Sequence, residues 1–186
     1  MESMHWKVGT CPGVARRRRR NILWGVTTDD STDRATLLWE QGYQLQVQGN
    51  LDEAEAMYRH SIAIRPTAEA HTYLGWTLSW RGEVESAIDE CKKAISVDPD
   101  FGNPYNDIGA YLIQKGELDE AIPWLERAKK ARRYEPRHFP YLNLGRIYAA
   151  QGLLSKALAE FQRASEIEPR DVVAKRAVDK LRNMLN

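Results

Sequence analysis

Histidine and cysteine are the residue types whose spacing would first reveal a metal site or a nucleophile in this chain. The histidines are His5, His60, His71 and His138. None of them falls at a metal-ligand spacing from Cys, Asp or Glu. The cysteines, Cys11 and Cys91, lie far apart and belong to no CxxC or Cys/His motif. A zinc site and a disulfide framework are therefore not indicated, and we predict neither a metal nor a cofactor.

Enzyme signatures are also missing from the sequence, which contains no GxSxG, no phosphate-binding glycine loop and no HExxH. Pairs of acidic residues do occur, but they recur at one position of a repeated pattern, where each begins a predicted helix. There they favour the positive end of the helix dipole. Periodic charge of this kind indicates a scaffold, and we predict that the protein is not an enzyme. The pairs are Asp52/Glu53, Glu83/Glu85 and Asp119/Glu120.

Composition favours one globular domain with a tail. The chain has 186 residues, of which 42% are apolar and 28% are charged, and its net charge is +1. Residues 1–28 carry a net charge of +5, mostly from Arg16–Arg20, so the remainder is close to −4. A mildly acidic body argues against nucleic acid as a partner, except through the arginine run. No apolar run is long enough to span a bilayer.

A repeated pattern of glycine, glycine and alanine is the strongest signal. The second glycine follows the first by seven residues, the alanine follows by five more, and the pattern recurs at periods of 33, 34 and 36. Such an array predicts stacked copies of one structural unit. The markers are Gly42–Gly49–Ala54, Gly75–Gly82–Ala87, Gly109–Gly116–Ala121 and Gly145–Gly152–Ala157.

Each copy of the pattern predicts two amphipathic helices. Apolar residues in the first helix recur at helical steps, as Leu74 and Leu78 do. The glycine beside Leu74 lets a neighbouring helix approach the backbone, and the second glycine suits the turn between the helices. Proline then follows the second helix, as at Pro99. Cys91 occupies an interhelical position, so we expect a buried, inert thiol. The predicted fold class is all-α.

The segments resemble the tetratricopeptide repeat, whose pattern W-x2-L-G-x2-Y…A-x3-F…P is met for instance by Tyr141-x2-Leu144-Gly145-x2-Tyr148. Gln41 and His71 depart from the pattern, and two extra residues lengthen the third repeat near "KKARRYEP". The resemblance implies an α-solenoid of antiparallel helix pairs in a short right-handed superhelix. The predicted repeats are 34–67, 68–101, 102–137 and 138–169.

Residues 170–186 continue a helical pattern in which Val173, Ala177, Leu181 and Leu185 form one stripe. Without a cover, the last repeat would expose its stacking face. We therefore predict a C-terminal capping helix over 170–186.

The basic leader, residues 1–33, shares nothing with the repeats. Five consecutive arginines repel one another, so we expect disorder. Alternatives are an arm for anionic surfaces or nucleic acid, a nuclear or organelle address, and docking of "NILWGV" in a groove of this chain or a neighbour. A misassigned start codon is a further alternative. The expected compartment is the cytoplasm, with nuclear or organelle targeting through the leader as the alternative.

The resemblance implies that the first helices line a concave groove. Trp76 and Trp80 lie off the stripe of Leu74 and Leu78, one helical turn apart on one face. We expect them to form an exposed aromatic patch, although space filling between helices is the alternative, more so for Trp80. A bound peptide or helix would place an apolar anchor near Trp76. The predicted groove residues are Trp39, Tyr43, Tyr73, Trp76, Trp80, Asn106, Asp107, Asn143 and Arg146.

The resemblance also bears on the partner. The chaperone-binding members of the family hold a C-terminal carboxylate with Lys, Asn, Asn, Lys and Arg, and the matching positions here supply no such set of cations. The tails of Hsp70 and Hsp90 are therefore disfavoured. Two hypotheses remain: an adaptor that binds a protein segment in its groove, and a module that assembles into homo-oligomers by stacking or by leader exchange. A non-catalytic subunit of a larger enzyme cannot be separated from the first by sequence. The matching positions are Trp39, Tyr43, Tyr73, Asn103 and Asp107, or Thr72, Trp76, Asp107, Phe139 and Asn143.

Overall fold

A computed structural model describes residues 30–185, and within that range the chain forms nine α-helices and no β-strand. The predicted all-α fold class is confirmed. The chain divides into two compact units, residues 1–99 and residues 100–186. Unit 1 contains the first four helices, and unit 2 contains the other five. The helices are α1 Asp30–Val47, α2 Leu51–Ile64, α3 Ala68–Trp80, α4 Val84–Val97, α5 Asn103–Lys115, α6 Leu118–Lys130, α7 Phe139–Ala150, α8 Leu154–Ile167 and α9 Val172–Leu185.

Tight turns join the helices into pairs, α1 with α2 and α3 with α4 in unit 1, then α5 with α6 and α7 with α8 in unit 2. The turn glycines have positive φ, as at Gly82 with φ +86° and Gly116 with φ +82°. Only glycine adopts that conformation without strain. The predicted role of the second glycine in each repeat is therefore confirmed.

The first glycine of a repeat permits close packing between paired helices. A Cβ added at Gly109 would lie 2.5 Å from Leu125 Cδ2. Such a Cβ at Gly145 would lie 2.8 Å from Phe161 Cε1. Both distances are far below van der Waals contact, so the helices of each pair meet at these residues because a side chain is absent.

Helix α3 is buried on all sides over His71–Leu78, and this differs from the predicted single stripe. The reason is that α3 packs against α4 on one side and against α2 on another. A helix with two neighbours buries faces that an amphipathic pattern assigns to solvent. Cys91, on α4, is fully buried, as predicted.

Helix α9 packs on α8 of unit 2 through Ala174, Val178 and Leu181. The predicted stripe is confirmed for Leu181 and Ala177, which pack on this side, but it was wrong for Val173 and Leu185, which are 51% and 45% exposed. The buried residues follow one another at steps of four and three. A shift of one residue turns a helix by about 100°, which moves Val173 away from α8.

The two extra residues of the third repeat lie in the loop between α6 and α7. Arg133 exchanges backbone hydrogen bonds with the segment before α5, since Gly102 N donates to Arg133 O at 2.8 Å and Arg133 N donates to Asp100 O at 3.0 Å. Tyr134 is buried beneath Gly102, where an added Cβ would lie 2.4 Å from Tyr134 Cβ. These contacts fix the loop to unit 2.

Helix α1 begins at Asp30, four residues before the predicted start of the first repeat at residue 34. The arginine run and the "NILWGV" segment lie outside the described residues, and so do the predictions about them. No helix among residues 30–185 is both long enough and apolar enough to cross a membrane.

Candidate functional site

Aromatic side chains of unit 1 meet around Tyr73 of α3. The Trp39 ring packs edge-on against it with centroids 5.3 Å apart, and the Tyr43 ring does so at 5.6 Å. Trp76 lies against the other side, with centroids 4.5 Å apart. We call Trp39, Tyr43, Tyr73 and Trp76 the aromatic cluster. The structure therefore brings four of the predicted groove aromatics together.

The exposed fractions of Trp76 and Trp80 are in the opposite order to the predicted one. Tyr73 and Trp76 are each only 4% exposed, whereas Trp80 is 50% exposed. The expectation of an exposed Trp76 was therefore wrong. Trp76 belongs to the segment of α3 that is buried on all sides, and Trp80 is the last residue of the helix, beyond that segment.

Tyr58 of α2 packs against the aromatic cluster, although the sequence did not predict it as a site residue. The Tyr58 hydroxyl donates to Gln46 Oε1 at 2.6 Å, and its ring lies 5.9 Å from the Tyr73 ring. Both Tyr58 and Gln46 are buried. Burial, together with Tyr43, raises the pKa of Tyr58 far above its usual value. The phenol therefore stays protonated and acts as a structural donor.

A shallow depression of about 520 Å³ lies beside the aromatic cluster on α1. Its apolar side chains include Trp39, Tyr43 and Leu45 from α1, with Met57 from α2. Glutamine side chains and Glu40 supply polar groups. The depression offers a place for an apolar side chain of a ligand.

Polar side chains of α5 and α7 form a connected network in unit 2. The Asn143 Nδ2 group donates to Asn106 Oδ1 at 3.0 Å, and the Arg146 guanidinium donates to Asn143 Oδ1 at 3.2 Å. Both asparagines are buried, and Arg146 is exposed. We call Asn106, Asn143 and Arg146 the amide cluster. The structure brings these three predicted residues together.

The direction of these hydrogen bonds decides what the amide cluster can bind. The Asn106 and Asn143 side-chain oxygens both accept within the cluster, and the Arg146 guanidinium is the donor at its exposed end. Desolvation of the guanidinium lowers the pKa of Arg146, and the charge of Asp171 acts in the opposite direction. A surface of donors suits carbonyl and carboxylate oxygens.

Asp107, like Asn106 and Asn143, is a predicted groove residue that the structure buries. Burial raises the pKa of Tyr134 well above its usual value, and the nearby charges of Asp107 and Glu135 add to that effect. Asp107 therefore acts through its charge on Tyr134 in the loop between α6 and α7. The sequence alone gave no sign of this, because that loop departs from the repeat pattern.

A buried hydrogen-bonded contact between α3 and α4 was also missed. His71 Nδ1 lies 2.6 Å from Glu90 Oε2, and Lys93 Nζ donates to Glu90 Oε1 at 2.7 Å. The pair lies between helices of one repeat and is almost fully buried. Among residues 30–185, no three His, Cys, Asp or Glu side chains are grouped so as to hold a metal ion.

The architecture and these surfaces define a class, the helical repeat proteins in which successive helix pairs pack through small residues. Two sequence models of the tetratricopeptide repeat match the chain, one over residues 100–169 and one over residues 35–60, together just over half of its length. The chain belongs to the tetratricopeptide repeat family. Proteins of this family generally mediate protein–protein interactions.

The chain is also similar in sequence to a known protein with tetratricopeptide repeats. The small glutamine-rich tetratricopeptide repeat-containing protein 2 of Mycosarcoma maydis is 27% identical over 96 residues, which cover 51% of this chain and 27% of that protein. The chain thus spans about a quarter of the length of that curated relative.

Two solved structures are also similar. The structure of Pseudomonas aeruginosa pilF has a TM-score of 0.76 and 21% identity, covering 81% of this chain and 68% of that one. YrrB, described as a TPR protein with an unusual peptide-binding site, has a TM-score of 0.62 and 23% identity, covering 80% of this chain and 75% of that one. At these identities the likeness concerns the fold.

Proposed function

We propose that this chain is a non-catalytic adaptor that binds a peptide or helix of a partner protein on the surface of its first helices. The proposal rests on the family's general activity and on two separate surfaces, the amide cluster of unit 2 and the depression of unit 1.

The observation that carries the proposal is the directed network of Asn106, Asn143 and Arg146. Two asparagines buried between first helices contribute nothing as apolar packing, and their orientation costs side-chain entropy. The exposed Arg146 guanidinium, which donates to Asn143, supplies a charge-assisted donor for a carbonyl or carboxylate oxygen of the ligand.

Because Trp76 is buried, it cannot be the predicted apolar anchor. Unit 1 offers a separate contact for an apolar ligand side chain, the depression lined by Trp39, Tyr43 and Leu45. Trp80 supplies an exposed ring of the kind enriched at protein interfaces. An apolar ligand side chain in the depression would exclude water from both Trp39 and Tyr43.

Other features of the proposed function follow from chemistry already described. The carboxylates of the first turns stabilise helices, so we propose no reaction for this protein. Two cysteines without a disulfide framework in the sequence fit a reducing compartment, and we propose the cytoplasm. A ligand held by amides and aromatics differs from the chaperone tails, which require several cations.

Affinity capture with the full chain tests the proposal. The comparison is between the native chain, an Asn143→Leu/Arg146→Glu variant, and an Arg176→Glu control on the exposed face of α9. We expect one protein to be captured by the native chain and the control, and to be lost with the cluster variant. Equal capture by all three chains, with unchanged circular dichroism, would remove the amide cluster from the proposal.

A second candidate function is homo-oligomeric assembly, favoured by the apolar side chains that α9 exposes. Val172, Val173 and Met184 are all more than half exposed at the end of unit 2. Such residues on a terminal helix could pack against another copy. Light scattering of the full chain decides between the functions: a dimer that a Val173→Glu/Met184→Glu variant dissolves supports assembly, and a monomer at all concentrations excludes it.

A further inference from the structure

The inserted loop of unit 2 places basic side chains on a fixed backbone. Arg133 is held by the two backbone hydrogen bonds to Asp100 and Gly102, and Tyr134 anchors the loop from below. The Arg137 guanidinium donates to Arg132 O at 2.8 Å, which closes the loop on itself. A loop held at three points presents its side chains with little loss of entropy on binding.

Three of those side chains, together with Lys130 at the end of α6, form a basic surface, which we call the basic loop: Lys130, Arg132, Arg133 and Arg137. All four residues are exposed, and the Arg132 side chain is 86% exposed. Two of the four, Arg132 and Arg137, have an acidic group only at the edge of ion-pair distance. Arg132 lies 4.0 Å from Asp100, and Arg137 lies 3.9 Å from Glu135, both at the outer limit of an ion pair.

Neighbouring cations on α6 provide a contrast. Arg127 lies over the Tyr105 and Trp124 rings, and Lys129 bridges Glu126 and Glu160. Those side chains stabilise the packing of unit 2. Lys130 and Arg132 have no comparable role, because exposed cations with one distant partner contribute almost nothing to stability.

The surroundings of the basic loop select the kind of anion. Membrane binding requires apolar side chains that insert into lipid, yet the large apolar residues exposed in the described range include none between Val97 and Leu153. Single-stranded nucleic acid requires rings for base stacking. The rings of the loop region, Phe101 and Tyr134, are buried, and the Arg133 guanidinium covers Phe101 at 4.4 Å.

We propose that the basic loop binds an acidic segment of a partner protein, rich in Asp and Glu. Arginine guanidinium groups bind carboxylates in a bidentate manner, and the exposed Arg132 and Lys130 offer two neighbouring cations to acidic side chains. This surface goes beyond the proposed function of the amide cluster and does not depend on it. A ligand could therefore occupy one surface without the other.

Fluorescence anisotropy of a short labelled peptide of alternating Asp and Glu, titrated with the full chain, tests this inference. We expect binding that weakens as NaCl is raised, and no binding of a matched peptide of Asn and Gln. A Lys130→Glu/Arg132→Glu variant should bind at least about tenfold more weakly. That variant keeps the contacts of Arg133 with Phe101 and of Arg137 with the backbone.

Two controls make the result decisive. Arg176→Glu/Lys180→Glu changes the net charge equally on α9 and should alter affinity less than about twofold. Replacing Arg16–Arg20 by glutamine removes the other basic run, and the loop variant must lose affinity in that background as well. Circular dichroism checks that each variant is folded.

Three outcomes would overturn the inference. They are equal losses in the loop and α9 variants, binding that depends on Arg16–Arg20 alone, and a preference for phosphatidylserine vesicles or oligothymidine over the acidic peptide. The amide-cluster variant Asn143→Leu/Arg146→Glu should retain peptide binding. Its result separates failure of this inference from failure of the proposed function.

Discussion

His71 Nδ1 and Glu90 Oε2 lie 2.6 Å apart in a nearly dry contact between α3 and α4. Burial opposes ionisation of Glu90, but hydrogen bonds from His71 and Lys93 outweigh it and lower the pKa of Glu90 below its usual value. The contact therefore connects the two helices of the second repeat by a hydrogen bond, in addition to their packing at Gly75.

Acid should weaken unit 1 through this contact. Because the pKa of Glu90 is lowered in the folded chain, its stabilisation is complete above the unfolded value of 4.5 and is lost as pH falls through the folded value. We expect Glu90→Gln to lower the free energy of unfolding by about 1–3 kcal/mol at neutral pH and to flatten its dependence on pH below 4.5. Urea unfolding across that range measures both. The Asp89→Asn variant, at an exposed site, is the control, and equal slopes would refute the assignment.

The apposition of Gly109 and Leu125 predicts an intolerant site in unit 2. A leucine at position 109 would overlap Leu125, whose Cδ2 already lies 2.5 Å from a simple Cβ. We expect Gly109→Leu to cost several kcal/mol, on the order of 3 or more, because both helices must separate. At Gly116, where φ is +82° and no atom is near, Gly116→Ala should cost only about 1–2 kcal/mol of backbone strain. Thermal melts that rank the two variants in reverse would contradict this account.

Leu144 tests the same packing without adding volume. Its side chain is fully buried in α7, so Leu144→Ala should lower the free energy of unfolding by about 2–5 kcal/mol. Leu153, exposed in the following turn, is the matched control, and Leu153→Ala should change stability by less than about 0.5 kcal/mol. A similar loss in both variants would show that exposure does not set the cost.

Trp76 and Trp80 should differ in how much each contributes to the stability of the fold. Trp76→Ala removes a buried ring that packs on Tyr73, and we expect a loss of about 3–5 kcal/mol. Trp80→Ala should leave the melting temperature nearly unchanged, because half of that side chain is exposed. If Trp76→Ala melts like the native chain, its assignment to the core is wrong.

Tyr58 provides a test confined to one hydrogen bond. Tyr58→Phe keeps the ring but deprives Gln46 Oε1 of its donor inside the packed pair α1 and α2. We expect about 1–2 kcal/mol of destabilisation, since a buried acceptor is left unsatisfied. A Tyr58→Phe/Gln46→Leu double variant should recover part of that loss. No recovery would mean that the ring position, and not the bond, is altered.

The sequence predicted the parts of this fold that depend on one repeated position. Gly109 and Leu125 are paired through a fixed spacing, so the helix pairs and their turns follow from the period. The pairing of His71 with Glu90 crosses two helices and depends on rotamers, and no periodic signal specifies it. The contact between His71 and Glu90 is seen only in the three-dimensional structure.

The candidate site was predicted less completely, for a physical reason. Asn106 lies three residues before Gly109 and Asn143 lies two residues before Gly145, so the two positions are not equivalent, and the repeat predicts only that both lie on first helices. The exposure of Trp76 depends on what covers α3 from two sides, and amphipathic patterns describe one side only. The predicted burial of Val173 was wrong for a similar reason, because a rotation by one residue changes which face of α9 meets α8.

The measurement that tests the central claim most directly is an amide ¹⁵N–¹H titration of the full chain with a peptide selected against it from a random library. We predict that the side-chain amide resonances of Asn106 and Asn143 shift in proportion to occupancy, and that Arg146→Glu abolishes both shifts. A peptide that binds tightly while leaving both amides unmoved, with shifts confined to the second helices or to α9, would contradict the account.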